Sequence, residues 1–81
     1  MRNRSVKWCE KKVVSALAKG SITTELALSA VVLRNVRSIL EQHNLYTAID
    51  NLIAQKVITK EKDKEGFTVY RLLIQNDNEV I

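Results

Sequence analysis

The chain has 81 residues, 46% of them apolar and 27% charged, with a net charge of +4 and no proline. A chain of this length forms one domain with one modest core, which excludes a second domain and a large multistep enzyme. A lone cysteine and a lone histidine exclude an intramolecular disulfide and a four-ligand zinc site, so we expect no metal. The cysteine has no evident base and the two glycines are isolated, so we also expect no catalytic activity and no cofactor. The longest apolar run, 30–33, is far shorter than the ~18 residues of a membrane span. We therefore expect a cytoplasmic protein that makes no contact with a membrane.

The first nineteen residues are the most basic part of the chain, with six lysines and arginines against one glutamate. Apolar residues recur there at the three- and four-residue steps of a helix face. They are Val6, Cys9, Val13, Ala16 and Leu17, and the lysines fall mostly outside this stripe. The spacing predicts a helix over 5–19, with Ser5 as its N-cap and Gly20 beyond its last turn. Cys9 is then a core residue.

The following segment indicates a short strand and a second helix. Residues 21–24 are long enough for one strand-like bridge, and Thr23 or Thr24 can cap a helix that begins at Glu25. From 26 to 33 the sequence is apolar nearly all round, so both sides of this helix must be covered by the domain or by a second subunit. The pattern leaves open whether 25–42 is one bent helix or two.

A third helix and a hairpin complete the domain. Asn44 is a good N-cap, and the apolar residues Leu45, Ile49, Leu52 and Ile53 form one helical stripe after it. Two β-rich runs, 57–62 and 67–74, then surround the charged segment 63–66 and predict a hairpin. We expect residues 1–74 to form one α+β domain of three helices, or four if 25–42 divides. The polar tail 75–81 should be disordered.

Residues 44–60, with the sequence NLYTAIDNLIAQKVITK, precede a hairpin that ends in Val69-Tyr70-Arg71-Leu72. This combination resembles the recognition helix and wing of the winged-helix (winged helix-turn-helix) superfamily, and the match covers about 44–74. Lys56 stands where a glycine is common in that superfamily. The resemblance implies that the exposed face of 44–55 enters the DNA major groove. The residues that it places at base edges or phosphates are Asn44, Tyr46, Thr47, Asn51 and Gln55.

Basic side chains elsewhere are further candidates for contact with DNA, because neutralising phosphates releases counterions. They are Arg2, Arg4 and Lys7 in the N-terminal arm, Arg34 and Arg37 on one helical face, and Lys60, Lys62 and Lys64 in the hairpin. Each set is equally compatible with an ordinary solvated surface. Asp50 lies on the predicted recognition helix and would repel phosphate.

These features together predict a sequence-specific double-stranded DNA-binding protein, a small transcriptional regulator that acts as a homodimer. The apolar segment 26–33 and the lone tryptophan predict the dimer interface, which would contain Trp8, Leu28, Val31 and Val32. The alternative is a winged-helix module that binds a protein of the transcription or replication machinery. Asp50, the alternating charges of the hairpin and the modest net charge favour that alternative.

Overall fold

The computed structural model describes residues 4–35 and 38–73, which form an α+β domain. In this part of the chain three helices accompany a small three-stranded antiparallel sheet. In chain order the elements are α1 (Val6–Leu17), β1 (Ile22–Thr23), α2 (Glu25–Leu33), α3 (Ile39–Ala54), β2 (Ile58–Lys62) and β3 (Thr68–Leu72). The predicted α+β class is confirmed, and the tail 75–81 lies outside the described residues.

Helix α1 begins where the sequence predicts and ends two residues earlier. The Ser5 hydroxyl accepts a hydrogen bond from the backbone N–H of Trp8 at 3.0 Å, which confirms the N-cap. At the other end the N–H groups of Lys19 and Gly20 reach back only three residues, to the carbonyls of Ala16 and Leu17. This tighter bonding closes the helix before Lys19.

The segment 25–42 contains two helices. Thr24 caps α2 by accepting from the Ala27 N–H at 3.1 Å, and α2 ends at Leu33. The prediction that Asn44 caps the third helix is wrong, because α3 begins at Ile39 with Ser38 as its N-cap. The Ser38 hydroxyl accepts from the Glu41 N–H at 3.2 Å. A serine followed three residues later by a glutamate is a strong helix start, and it precedes Asn44 in the chain.

Strand β3 lies in the centre of the sheet, between β1 and β2. Tyr70 is opposite Ile22 on one side, and Leu72 is opposite Ile58 on the other. The predicted hairpin is therefore confirmed, with its tip at 63–66. The Asp63 carboxylate holds this turn by accepting from the N–H groups of Glu65 and Phe67.

All three helices and the sheet contribute to one core. Its buried residues are Cys9, Val13, Leu17, Leu28, Val32, Leu33, Leu45, Ala48, Ile49, Leu52, Ile58 and Tyr70. Cys9 is in the core as predicted, and burial raises the pKa of its thiol. The Tyr70 hydroxyl donates to Glu25 Oε2 at 3.4 Å. Burial, followed by the Glu25 carboxylate, raises the pKa of Tyr70 to about 12.

The raised pKa of Tyr70 should make the free energy of unfolding fall at alkaline pH. Its pKa in the folded chain lies above the ordinary value of 10.0, so the unfolded chain loses the phenol proton first as the pH rises. The stabilisation present below pH 10 should decrease by up to about 3 kcal/mol as the pH rises through about 12. Urea unfolding between pH 10 and about 12 measures this loss. The free energy of unfolding of Tyr70→Phe should not show the loss that comes from Tyr70, whereas that of Tyr46→Phe should. Equal alkaline losses in the wild type and Tyr70→Phe would contradict the assignment.

Lys56 adopts a left-handed backbone conformation, with φ of 61°, at the turn between α3 and β2. A side chain in that conformation costs roughly 1–2 kcal/mol. Lys56→Gly should therefore raise the free energy of unfolding by about 1 kcal/mol, after glycine's greater freedom in the unfolded chain is included. Gln55→Gly is the matched control. Gln55 has φ of −83°, which any residue adopts without strain, so glycine there should lower the free energy of unfolding. Urea denaturation measures both changes. A lower free energy of unfolding for Lys56→Gly than for the wild type would contradict the claim that the Lys56 backbone is strained.

Candidate nucleic-acid interface

The outward face of α3 carries no lysine or arginine. The charged side chains of the whole helix, apart from His43, are the carboxylates of Glu41 and Asp50. Asp50 is exposed, and the N-terminal residue Ile39 is 87% exposed. A surface that combines a carboxylate with an exposed aliphatic side chain does not attract phosphate.

The five residues that the resemblance places on a DNA-reading face do not share one exposed surface. Asn44 and Asn51 are turned towards α1, where their amides donate to the Arg4 carbonyl at 2.9 Å and to Glu10 Oε2 at 3.1 Å. Tyr46 is half-buried against the core, and Thr47 is also half-buried. Gln55 is exposed but lies at the C-cap of α3. The structure thus corrects the expectation of one exposed face, because packing on α1 uses part of it.

Arg4 joins the start of α1 to the other two helices. Its Nη1 donates to the Leu33 carbonyl at 2.6 Å, at the end of α2. Its backbone N–H donates to Glu41 Oε2 at 2.8 Å, and its Nε lies 3.5 Å from the same oxygen. The Glu41 side chain is fully buried and the Arg4 side chain is 17% exposed. Arg4 is therefore a structural residue here and not part of a free basic arm.

Removing one member of this pair should be costly. Arg4→Met removes the guanidinium beside the buried Glu41 carboxylate and should lower the free energy of unfolding by about 3–5 kcal/mol. The double variant Arg4→Met/Glu41→Gln should recover much of that loss, because the neutral amide can still accept from the backbone N–H.

Urea denaturation measures both variants, and Arg71→Met is the matched control. Arg71 pairs with Glu61 at 3.9 Å on the exposed hairpin, so its loss should cost less than about 1 kcal/mol. Equal effects of Arg4→Met and Arg71→Met would contradict the role assigned to Arg4.

An open groove of about 610 Å³ lies between α1 and the C-terminal part of α2. Its lining contains four cations, Arg4, Lys12, Lys19 and Arg34, and an apolar part formed by Trp8, Ala16, Val31, Val32 and Leu33. Ser15 and Asn35 also line it, and none of the described residues in the lining is a carboxylate. The Arg4 guanidinium and the Lys12 ammonium lie 5.1 and 5.5 Å from the centre of the Trp8 ring, within cation–π distance.

The exposed cations beside and inside this groove come from α1, from the turn after it and from the C-cap of α2. We call Lys7, Lys11, Lys12, Lys19 and Arg34 the basic surface; all five are exposed. The carboxylate of Glu10, the glutamate of α1, accepts from the Asn51 amide and is therefore directed towards α3. The outward side of α1 is therefore positive.

Sequence reasoning found only part of this surface. It proposed Lys7 and Arg34 as phosphate contacts but not Lys11, Lys12 and Lys19, although their positions outside the apolar stripe were the signal that could have found them. Contrary to the prediction, Arg34 is the C-cap of α2 and does not lie on a helical face. Arg37 and Arg2 lie outside the described residues.

The hairpin presents charges of both signs. Lys60, Lys62 and Lys64 are exposed, as expected, but so are Glu61 and Glu65. Its net field is therefore weaker than that of the basic surface.

Two of the four residues predicted at a dimer interface lie inside the domain. Leu28 and Val32 are buried in the core and could not meet a second subunit unless the core opened. Trp8 is half-buried in the groove, and Val31 is 53% exposed beside it. Leu26, at 81% exposure, is the other large apolar residue that α2 exposes. The described part of the domain therefore covers only one side of α2.

Within residues 4–35 and 38–73, no three His, Cys, Asp or Glu side chains come together as a metal site would require. No described helix combines the length and the apolar character needed to cross a membrane. The chain matches no family model, and comparison with curated proteins and with solved structures also finds no match.

Proposed function

We propose that the chain is a winged-helix DNA-binding domain whose contacts with double-stranded DNA come mainly from α1. The order α1-β1-α2-α3-β2-β3, with β1 paired to β3, is compatible with a winged-helix arrangement. The left-handed Lys56, at the position where the superfamily commonly has glycine, supports the same assignment.

The proposal rests on where the exposed cations lie. The basic surface places five exposed cations on one side of the domain, whereas α3 exposes none. Helix α1 has 12 residues and is about 18 Å long, and Lys19 lies just beyond its end, so this surface is long enough to face several phosphates of one DNA strand. Such contacts supply affinity and position on the duplex without reading its sequence. A transcriptional regulator of this kind would occupy DNA through them, and a homodimer would double their number.

Fluorescence anisotropy with a labelled duplex of about 30 base pairs tests the proposal, because phosphate contacts set how steeply affinity falls with salt. Lys7→Gln/Lys11→Gln should reduce the slope of log affinity against log salt by about 2, one unit for each lost contact. Both lysines lie outside the lining of the groove. Lys60→Gln/Lys62→Gln in the hairpin makes the same change of charge and should leave the slope nearly unchanged.

The reverse pattern, a loss only in the hairpin variant, would contradict the role of α1. No binding by the wild type at tens of micromolar protein in about 50 mM salt would contradict DNA binding itself.

Exposed aliphatic side chains favour a second candidate, a module that binds a protein of the transcription or replication machinery. Leu26 on α2 and Ile39 on α3 are 81% and 87% exposed. Large apolar residues on a small domain often mark a protein interface. The absence of cations on α3 fits this candidate as well.

A further inference from the structure

We propose that the groove between α1 and α2 is a docking site for an acidic, amphipathic helix of a protein partner. Among residues 4–35 and 38–73, its lining contains four cations and no carboxylate. Arg4 is already paired with Glu41, so the charges free to meet a ligand are those of Lys12, Lys19 and Arg34. All three are exposed, and they select an anionic ligand.

The spacing of these cations fits a helix. Lys12 lies within α1, and Lys19 lies in the turn that closes it, two residues beyond Leu17, so the two lysines stand at different positions along the groove. Acidic residues about two turns apart on a helix laid along the groove would meet both lysines. Arg34 lies at the end of α2 and reaches the ligand from the opposite wall.

The apolar part of the groove distinguishes a protein segment from a nucleic acid. Val31 is 53% exposed, and the half-buried Trp8 lies in the same lining. A DNA backbone presents phosphates and sugars, which would neutralise the lysines and leave Val31 without an apolar partner. Aliphatic side chains between the acidic residues of an amphipathic helix would cover it. The mixed lining therefore favours the acidic helix over DNA.

The backbone at Arg34 supports a ligand site at this end of the groove. Arg34 has φ of 57° and ψ of −72°, a conformation that a residue with a side chain rarely adopts. Such residues cluster at ligand clamps and switch regions. The Arg34 N–H donates to the Ala30 carbonyl at 3.0 Å, which holds the arginine at the groove.

Occupation of the groove would also regulate DNA binding. Lys12, Lys19 and Arg34 belong to the basic surface, so a docked acidic helix would leave only Lys7 and Lys11 for phosphate. This consequence rests on the proposed function, whereas docking itself does not. The test of docking is accordingly made without DNA.

Trp8 is the lone tryptophan of the chain and reports directly on the groove. The probe is a synthetic helical peptide of about 16 residues, with glutamates seven positions apart and leucines between them. Titration should change the Trp8 emission to saturation, and anisotropy of the labelled peptide should give the same affinity. A peptide with glutamine at each glutamate should bind about tenfold more weakly or not at all. Equal binding of the two peptides would overturn the proposal.

Two pairs of variants locate the site. Lys12→Gln/Lys19→Gln should weaken peptide binding about tenfold, and the hairpin variant Lys60→Gln/Lys62→Gln should bind like the wild type. Val31→Ala should weaken binding by about threefold, and Leu26→Ala, on the same helix but outside the groove lining, should not. Circular dichroism confirms that each variant is folded.

Wild-type affinity in Lys12→Gln/Lys19→Gln would overturn the assignment to the groove. A short duplex that changes Trp8 emission where the acidic peptide does not would assign the groove to nucleic acid.

Discussion

The buried ion pair between Arg4 and Glu41 determines how the helices are arranged around the groove. The Glu41 carboxylate is fully buried, and the Arg4 guanidinium and backbone N–H stabilise its charge. A buried charge without a partner costs several kcal/mol, which forces the chain just before α1 onto α3. Because Arg4 also bonds the last carbonyl of α2, the same residue fixes α1 relative to α2. The two walls of the groove are thereby held in one geometry.

This arrangement assigns different tasks to α1 and α3. Both helices bury an apolar stripe, but α1 directs its lysines outward and turns Glu10 to α3. Helix α3 uses the amides of Asn44 and Asn51 to bind α1, so these groups are occupied by the domain itself. What α3 leaves exposed is mostly aliphatic, with the carboxylate of Asp50 and the imidazole of His43, and contains no lysine or arginine. The surface with the strongest attraction for an anion therefore lies on the first helix, not on the helix that the winged-helix resemblance selects.

Local signals in the sequence predicted the elements well and their contacts poorly. Ser5, Thr24 and the Asp63 turn act through neighbours within four residues, so their roles follow from spacing alone. The pattern after Asn44 predicts a later start for α3 than the structure has, because Ser38 and Glu41 form an earlier helix start. The role of Arg4 depends on its contact with Glu41, which is 37 residues away in the sequence. Spacing alone cannot predict such a contact, so the basic N-terminal segment is predicted to be a solvated arm. The sequence places the lysines of α1 outside the apolar stripe, but the winged-helix resemblance predicts that the DNA-binding face lies on 44–55.

Chemical-shift mapping of the isotope-labelled protein tests most directly whether anion binding belongs to α1. Backbone amide signals would be followed while an unlabelled duplex is added at low salt. Binding through the basic surface predicts that the largest shifts lie on Lys7–Lys19 and Arg34, with small shifts on the outward residues of α3 such as His43 and Asp50. The largest shifts on α3 and the hairpin, with α1 unchanged, would contradict the assignment of the interface to α1.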